Sequence, residues 1–317
     1  MKGERGFALV ITLLITALLV ALTVEFVNEV FVDTSARQTF TDGQQASIMA
    51  GSGMVAAIKL MQARLPILVQ RGYTSQSDLE LLAKLLQIED ENGTIRVTAE
   101  EESGKLNINS IVNPDGTDND FYRGVADRLF KKLELQTELL DAVADWIDKY
   151  DDPRPAGAEA PYYLALKHPY AAKNANLDTL EELRLVKGFD VKTLDRLRPY
   201  ITVYNDIPNS PTTPININTA AKELLASLDA TMTDSMVLEI VDKRKDTPFT
   251  TPTDLGNRVS DMAKLAQTLA KDGKIMQQEK GAVYRILSQA TVRETTRYIE
   301  AVVRPLGQSP ILYWREY

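Results

Sequence analysis

The sequence RGFALVITLLITALLVALTVEFVNE, residues 5–29, decides how the rest of this 317-residue chain is arranged. It contains 18 consecutive uncharged residues, from Phe7 to Val24. At about 1.5 Å per residue, a helix of that length extends about 27 Å, enough to cross the hydrocarbon core of a bilayer. A secretory signal has a shorter apolar core and a small-x-small cleavage site, and this run fits neither feature well. The sequence therefore predicts a transmembrane helix that stays in the protein.

The charged residues on either side of the run predict its orientation. Lys2 and Arg5 precede it, whereas Glu25 and Glu29 follow it and the next basic residue is Arg37. Because short flanks rich in basic residues are retained in the cytoplasm, the front end of the chain is predicted to stay there. The bulk of the chain then lies on the opposite side of the membrane.

Helical periodicity continues beyond the membrane-spanning run. Apolar residues recur at helical spacing along one side of the following segment: Ala46, Met49, Ala56, Leu60 and Met61. We therefore predict one helix from Phe7 to about Leu65. Pro66 has no N–H to donate and is expected to end it.

The composition excludes several functional classes. The net charge of −8 argues against a surface that neutralises phosphates, so no nucleic-acid partner is predicted. The chain has no cysteine, which excludes disulfides, thiolate metal sites and a cysteine nucleophile. The only histidine, His168, cannot build a multi-histidine metal site.

Three segments have the alternating apolar and polar pattern of strands. They are residues 94–99, 283–292 and 297–304, and the last two are joined by a predicted turn at Glu294 and Thr295. The first segment lies far from the others, and helix signals fill the interval. The predicted fold is therefore α+β: a long N-terminal helix packs on a small antiparallel sheet that carries a large inserted all-α domain.

A short polar pattern recurs inside the insertion. It occurs at residues 107–110, 176–179 and 216–219. Each copy places Asn, Asp, Ser or Thr where a helix start can be capped, and Thr179 with Glu182 forms a capping box. The copies resemble SAM-like or helix-hairpin-helix repeats, which implies a rigid lobe. Their turns keep side chains where nucleic-acid-binding members have glycines, which again argues against phosphate contact.

The stretch DAVADWIDKYDDPRPAGAEAPYY, residues 141–163, concentrates acidic side chains. Asp145 and Asp148 lie at helical spacing, and Asp151, Asp152 and Glu159 follow on a loop stiffened by prolines. Carboxylates that converge from a helix end and a stiff loop suit a hard cation such as calcium, although the spacing is not that of an EF-hand. A solvated charged face is the alternative. A second acidic group is interpreted as loop solvation: Asp115, Asp118 and Asp120.

The front of the chain resembles the class III signal of type IV pilins and type II secretion pseudopilins. A six-residue leader ends in Gly6 and is followed by Phe7 and the apolar helix. The resemblance implies that a prepilin peptidase cuts between Gly6 and Phe7 and methylates the new amino terminus. The family usually has Glu at the fifth mature position, where this chain has Ile11. Among pseudopilins that departure is typical of the protein K type, and an ordinary signal anchor is the alternative.

The acidic stretch is also similar to the type II secretion protein K family. The matching residues are Trp146, Asp148, Gly157, Ala158, Glu159, Tyr162, Tyr163 and 174–177. The resemblance implies a structural calcium ion, for which the candidate ligands are Asp145, Asp148, Asp151, Asp152 and Glu159. Family members often have an acid four places after the tryptophan, where this chain has Tyr150.

The resemblance divides the chain into five segments. They are a leader (1–6), a transmembrane part of the first helix (7–30), the first part of a pilin-like domain (31–110), an inserted helical domain (111–275) and C-terminal pilin-like strands (276–317). It implies an inner-membrane protein with its bulk in the periplasm, which assembles at the pseudopilus tip with other minor pseudopilins. Further implied partners are the prepilin peptidase, the major pseudopilin, the outer-membrane secretin and the cargo.

Three other functions remain open, and one of them, a DNA-uptake pilin, predicts that the soluble lobe retains DNA at low salt. Another is a minor pilin of a type IV pilus, which sequence alone separates poorly from a pseudopilin. The third is a membrane-anchored periplasmic hydrolase that uses the carboxylates of residues 145–159. No recognisable nucleophile or substrate-clamping set accompanies those carboxylates, so the protein is predicted not to be an enzyme.

Overall fold

A computed structural model describes residues 3–71, 75–205, 213–271, 273–275, 283–305 and 310–317. The helices are α1 (Gly3–Arg71), α2 (Gln76–Leu85), α3 (Asp120–Lys132), α4 (Leu139–Ile147), α5 (Ala160–Leu164), α6 (Val191–Leu197), α7 (Lys222–Leu225), α8 (Asp234–Asp246), α9 (Pro252–Arg258) and α10 (Ala263–Lys271). The strands are β1 (Ile88–Asp90), β2 (Gly93–Glu101), β3 (Leu106–Asn107), β4 (Ile201–Thr202), β5 (Tyr284–Val292), β6 (Thr295–Val303) and β7 (Ile311–Glu316). Short 3-10 helices cover Glu102–Gly104, Ile108–Ile111 and Leu180–Leu185.

Helix α1 is the longest element and has two different halves. Residues 7–41 are all exposed, and an 18-residue window in the helix has a mean hydropathy of 2.8 with none of it buried. The helix is therefore long and apolar enough to cross a membrane. The prediction that Pro66 ends it is wrong, because α1 continues to Arg71. A proline removes one backbone hydrogen bond from a helix interior, and a helix that forms its other bonds can continue through it.

The second half of α1 packs on a five-stranded antiparallel sheet of order β1-β2-β5-β6-β7. Small and apolar side chains of α1 form the contact: Ala50, Met54, Ala57, Ile58 and Met61. Gly53 permits the close approach, because a Cβ there would lie 2.6 Å from Ser288 Oγ and 2.7 Å from Ile95 Cγ2. The small antiparallel sheet against the long helix confirms that part of the predicted fold.

The three predicted strands correspond to β2, β5 and β6, and the two edge strands of this sheet, β1 and β7, were not predicted. The hairpin turn lies at Arg293 and Glu294 rather than at Glu294 and Thr295, because Thr295 already pairs with Val292. Arg293 has a φ of 52°, as a tight two-residue turn requires. Strand β1 is very short, and β7 is exposed at nearly every position, so neither has the alternation that marks a half-buried strand.

The chain leaves the sheet for the inserted lobe at the end that is farther from the membrane-spanning half of α1. At the near end, Arg293 lies 3.3 Å from Asp42, while at the far end Gln62 donates to the carbonyl of Pro305. Strand β5 runs from the far end to the near end, and its first residue, Tyr284, pairs with Glu101. The lobe is inserted between these two residues and is therefore attached at the far end.

The lobe has its own core and is not purely helical. Its buried cluster begins at Leu106, a few residues before the predicted boundary at 111, and ends at Ile275. Strands β3 and β4 form a two-residue parallel pair at its base, so the expectation of an all-α insertion is wrong in this detail. The pair brings the start of the lobe beside Ile201, where the first half of the lobe ends.

Two asparagines hold the two halves of the lobe by the same arrangement. The Asn109 side chain accepts from Leu177 N–H at 2.8 Å and donates to the Leu177 carbonyl at 3.0 Å. Asn218 makes the same two bonds to Phe249, at 2.8 and 3.0 Å. In the copies of the pattern at 107–110 and 216–219, the asparagine side chain thus binds the backbone of a distant segment. The copy at 176–179 belongs to a segment that is held, and its Thr179–Glu182 capping box is confirmed.

Two adjacent buried carboxylates join the lobe to the sheet. Glu101 accepts from Asn216 and Thr219, which begin the second half of the lobe. Glu102 accepts from Thr202, which ends the first half, and lies 2.8 Å from Arg285 on β5 and 3.2 Å from Lys105. Burial alone raises the pKa of the Glu102 carboxyl, but Lys105 and Arg285 outweigh it and hold that pKa below its usual value.

Substitution of Asn218 by Ala tests the asparagine arrangement. The change leaves the buried N–H and C=O of Phe249 without these partners, so the free energy of unfolding is expected to fall by about 2–4 kcal/mol. Chemical denaturation of the full chain in detergent, followed by tryptophan fluorescence, measures it. Asn176→Ala, at an exposed asparagine of the same sequence pattern, serves as the control and should cost little. Equal losses for both variants would contradict this role of Asn218.

Candidate metal centre

Helix α4 and the loop that follows it bring three carboxylates together. The apolar side of α4 packs in the lobe core, and Asp145 and Asp148 lie in its last turn and at its end. Glu159 lies at the N-cap of α5, where its side chain makes no capping hydrogen bond. One oxygen from each carboxylate lies within 4.8 Å of the others, and all three residues are buried. Helix α4 ends at Ile147, before the loop that contains Pro153.

Arg154 neutralises part of this charge from one side. Its Nη1 atom lies 2.8 Å from Asp145 Oδ1 and 2.5 Å from Asp148 Oδ2, and its backbone N–H donates to Asp145. Burial raises the pKa of the Asp145 carboxyl, and the hydrogen bonds from Arg154 only partly offset this effect. Arg154 was not among the predicted site residues.

Glu159 is left with uncompensated charge. Its residue is 2% exposed, and among the described residues neither carboxylate oxygen has a hydrogen-bond partner. Burial, together with the charges of Asp145 and Asp148, raises the pKa of Glu159 to about 7. A buried carboxylate without a partner is costly when it is charged, and a bound proton or a nearby cation would relieve that cost.

The backbone of the loop fits closely around the carboxylates. A Cβ atom on Gly157 would lie 1.8 Å from Asp145 Oδ2, so only glycine leaves room there. The preceding residue, Ala156, donates its N–H to Asp141, and Lys187 donates to the carbonyls of Ala156 and Gly157. The loop is therefore held from both sides in the position that presents Glu159 to α4.

A further oxygen, unsatisfied among the described residues, belongs to Asn174, which contacts the acidic loop at Asp151. Asn174 has a φ of 48°, and its Oδ1 atom is buried without a hydrogen-bond partner in the parts of the chain that the structure describes. Its Nδ2 atom donates to Asp151 at 3.2 Å, and the charge of Asp151 contributes to the raised pKa of Glu159. Asn174 is thus a second unsatisfied acceptor beside the acidic loop.

The structure separates the five predicted ligands into two groups. Asp145, Asp148 and Glu159 converge, whereas Asp151 and Asp152 are exposed on the loop. Asp115, Asp118 and Asp120 are all exposed, as the interpretation of loop solvation expects, and Asp118 also lies 3.0 Å from Arg154 Nη2. Whether any of these residues binds an ion stays a prediction.

The residues present fit a hard divalent cation. Three buried carboxylates contribute −3 and Arg154 contributes +1, which leaves −2 at the centre. Carboxylate and amide oxygens are the donors that calcium prefers, and both Glu159 oxygens and Asn174 Oδ1 are free to act as ligands. Described residues therefore supply the donor type, the charge and the unsatisfied atoms that such an ion requires.

Comparison with known protein families identifies the chain. Residues 104–206 and 215–272 match two family models, each described as type II secretion system protein K. Together these segments cover half of the chain and include the whole candidate metal centre. The chain belongs to the type II secretion system protein K family. It is a minor pseudopilin component of that system.

Individual relatives agree with this assignment. Type II secretion system protein K of Klebsiella pneumoniae is 29% identical over 240 residues, which cover 72% of this chain and 70% of that protein. The Aeromonas hydrophila protein K is 28% identical over 253 residues, covering 75% and 74%. The Pseudomonas aeruginosa protein K is 26% identical over 241 residues, covering 72% and 68%.

A solved structure has the same fold. A chain in the crystal structure of the GspK-GspI-GspJ complex from the enterotoxigenic Escherichia coli type 2 secretion system aligns with a TM-score of 0.59. The alignment covers 90% of this chain and 99% of that one, at 18% sequence identity. The protein K fold therefore extends over nearly the whole chain.

The predicted processing site of this protein K family member lies at the front of α1. The structure describes the chain from Gly3, so Met1 and Lys2 of the predicted leader lie outside the described residues. Gly6 is within α1, while Phe7 and Ile11 are exposed on it, by 70% and 41%. Cleavage and methylation stay predictions.

Removal of the Glu159 charge tests the electrostatics of the ion-free centre. Because the pKa of Glu159 is raised in the folded protein, the folded protein binds a proton on this carboxylate more tightly than the unfolded chain does. The free energy of unfolding should therefore increase as the pH falls from about 8 to about 5. Without divalent ions, Glu159→Gln should be more stable than the wild type by about 1–3 kcal/mol at pH 8 and lose that advantage near pH 5.

Chemical denaturation in a chelator across this pH range measures the difference. Glu138→Gln, at an exposed carboxylate just before α4, is the control and should show no comparable dependence. A Glu159→Gln protein that is less stable than the wild type at pH 8 would disprove the assignment of uncompensated charge.

Proposed function

We propose that this protein is the tip subunit of the type II secretion pseudopilus and initiates or caps its assembly. The observation that carries the proposal is the exposed first half of α1, because residues 7–41 are not buried against any other described part of the chain. An apolar helix of this kind is stable in a bilayer or against other apolar helices. We infer that it anchors the subunit in the inner membrane and packs beside neighbouring subunits after assembly.

The place of the lobe supports a terminal position. It joins the sheet at the end farther from the membrane-spanning half of α1, next to Glu101 and Tyr284. A further subunit added above this one would collide with the lobe, whereas the sides and the base of α1 stay accessible to other subunits. The absence of a carboxylate at Ile11 agrees with this position, because a subunit with no neighbour above has no partner for a buried charge.

The partners follow from the same position. We infer that the subunit assembles with other minor pseudopilins, as the GspK, GspI and GspJ proteins do in the enterotoxigenic Escherichia coli complex. The major pseudopilin would continue the fibre below, and the periplasmic lobe would face the secretin and the cargo. A minor pilin of a type IV pilus is the alternative, and the relatives from Klebsiella pneumoniae, Aeromonas hydrophila and Pseudomonas aeruginosa are all type II secretion proteins.

Mass analysis of the amino terminus tests the membrane role. In cells with prepilin peptidase, the protein should begin at N-methylated Phe7, and without the peptidase it should keep its leader. Gly6→Leu places a bulky side chain before the scissile bond and should block processing, while Ala8→Ser, just after it, is the control. A mature protein that begins beyond Val24 would contradict the proposal.

We propose in addition that the metal centre holds a structural calcium ion. Asp145, Asp148 and Glu159 would be its carboxylate ligands, and Asn174 would be an additional candidate. When bound, the ion would supply the positive charge that Glu159 lacks and would connect the end of α4 to the start of α5. This role is structural, so no turnover is attributed to the carboxylates.

Thermal unfolding with and without calcium tests this proposal. At a calcium concentration about 100 times Kd, the unfolding midpoint of the full chain should rise by about 5–10 °C. Glu159→Gln should abolish the rise, whereas Asp120→Asn, at an exposed acid on the same lobe, should keep it. Asp151→Asn and Asp152→Asn show whether the exposed loop carboxylates take part. An unchanged wild-type midpoint would refute the ion site.

A further inference from the structure

We propose that Arg154 is a fixed internal cation of the metal centre, which matches the charge of the site to one divalent ion and couples it to the turn at residues 113–118. This inference rests on the proposed calcium site. Arg154 would affect both the ion selectivity of the site and the position of a neighbouring loop. It is not among the predicted ligands, and the family resemblance gives it no role.

The contacts of Arg154 indicate that it stays in place when an ion binds. One guanidinium nitrogen bridges Asp145 and Asp148, and the rest of the group binds outside the carboxylate cluster. Nη2 donates to the carbonyl of Gly116 at 2.9 Å and lies 3.0 Å from Asp118. Its backbone N–H also binds Asp145. Because these contacts come from several directions, displacement of the guanidinium would break most of them at once.

The position of Arg154 leaves a defined charge and a defined set of free oxygens. Glu159 is the carboxylate of the three that Arg154 does not contact among the described hydrogen bonds and ion pairs, and it keeps both oxygens available. With the arginine, the three carboxylates have a net charge of −2, which one divalent ion balances. Asp118 adds little, because its side chain is 40% exposed and therefore solvated.

The same guanidinium ties the centre to the turn at 113–118. The turn is closed by two backbone hydrogen bonds: Asn113 N–H donates to the Thr117 carbonyl, and Gly116 N–H donates to the Asn113 carbonyl. A Cβ on Gly116 would lie 2.3 Å from the Tyr150 ring. The Gly116 carbonyl is the acceptor for Arg154. An ion that fixes Asp145 and Asp148 would therefore also restrict the turn, through one side chain.

The selectivity between trivalent and divalent ions tests the charge match. Tb³⁺ is titrated into the full chain in detergent and displaced with Ca²⁺, and luminescence is excited through Trp146, next to Asp145. All variants carry Trp314→Phe, which removes the other tryptophan. Arg154→Gln should raise the preference for Tb³⁺ over Ca²⁺ by about tenfold or more, because the site gains one negative charge. Arg154→Lys should keep the wild-type preference.

The matched control is Arg123→Gln. Arg123 pairs with Asp141 at 2.5 Å and lies 4.0 Å from Asp118, but it does not contact the three converging carboxylates in the described structure. The Arg123 side chain is as little exposed as that of Arg154, 19% against 18%, so the two variants differ mainly in contact with the cluster. Loss of Arg123 should leave the preference within about threefold of the wild type, because its charge is paired with Asp141 outside the cluster. An unchanged preference in Arg154→Gln overturns the inference and leaves the calcium site standing. A wild-type protein that binds neither ion refutes both.

Hydrogen exchange of the wild-type protein gives a test that needs no variant. Calcium should slow exchange of the Gly116 and Thr117 amides by about fivefold or more, and leave the Phe249 amide in the other half of the lobe unchanged. Slower exchange at residues 145–159 with no change at 113–118 would overturn the coupling through Arg154.

Discussion

The arrangement of the chain depends on two buried carboxylates at the end of β2. Glu101 holds the start of the second half of the lobe, and Glu102 joins the end of the first half to Arg285 on the sheet. Loss of one partner would leave a buried charge without compensation, which costs more than the contact itself contributes. Because Glu101 is the last residue of β2 and Glu102 follows it directly, the sheet fixes the position of the lobe. The lobe therefore extends from the far end of the sheet in one orientation.

The two halves of the lobe differ mainly in one insertion, and the metal centre lies in it. Asn109 and Leu177 are 68 residues apart, whereas Asn218 and Phe249, which make the same contacts, are 31 apart. Most of the difference falls between the end of α4 and Leu177, because α8 is followed almost directly by Phe249. The first half thus contains a long polar loop where the second half has a short connection. The carboxylates, Arg154 and Asn174 all come from this loop or its borders.

The sequence was sufficient for features that depend on local pattern, and insufficient for those that depend on distant partners. The transmembrane helix and the strands β2, β5 and β6 have clear apolar periodicity, and the convergence of Asp145, Asp148 and Glu159 follows from a helix end and a stiff loop. The pairing of Arg154 with Asp145 and Asp148 is local and was overlooked. Its hydrogen bond to Gly116 and its ion pair with Asp118, almost 40 residues away, could not be predicted from local pattern. Strand β7 has an exposed pattern that resembles a loop until β6 is placed beside it.

The absence of cysteine explains why such a loop needs charged contacts. A loop of about 30 residues has a large closure entropy, and this chain has no disulfide to offset it. Lys187 holds its backbone at Ala156 and Gly157, and Arg154 holds it to α4 and to the 113–118 turn. These contacts still leave Glu159 buried and uncompensated. A divalent ion at this point would act as the missing cross-link, because it would bind carboxylates from both ends of the loop without a covalent bond. The stability of the lobe would then depend on the calcium concentration around it, and a loop that is ordered on one side of the membrane need not be ordered on the other.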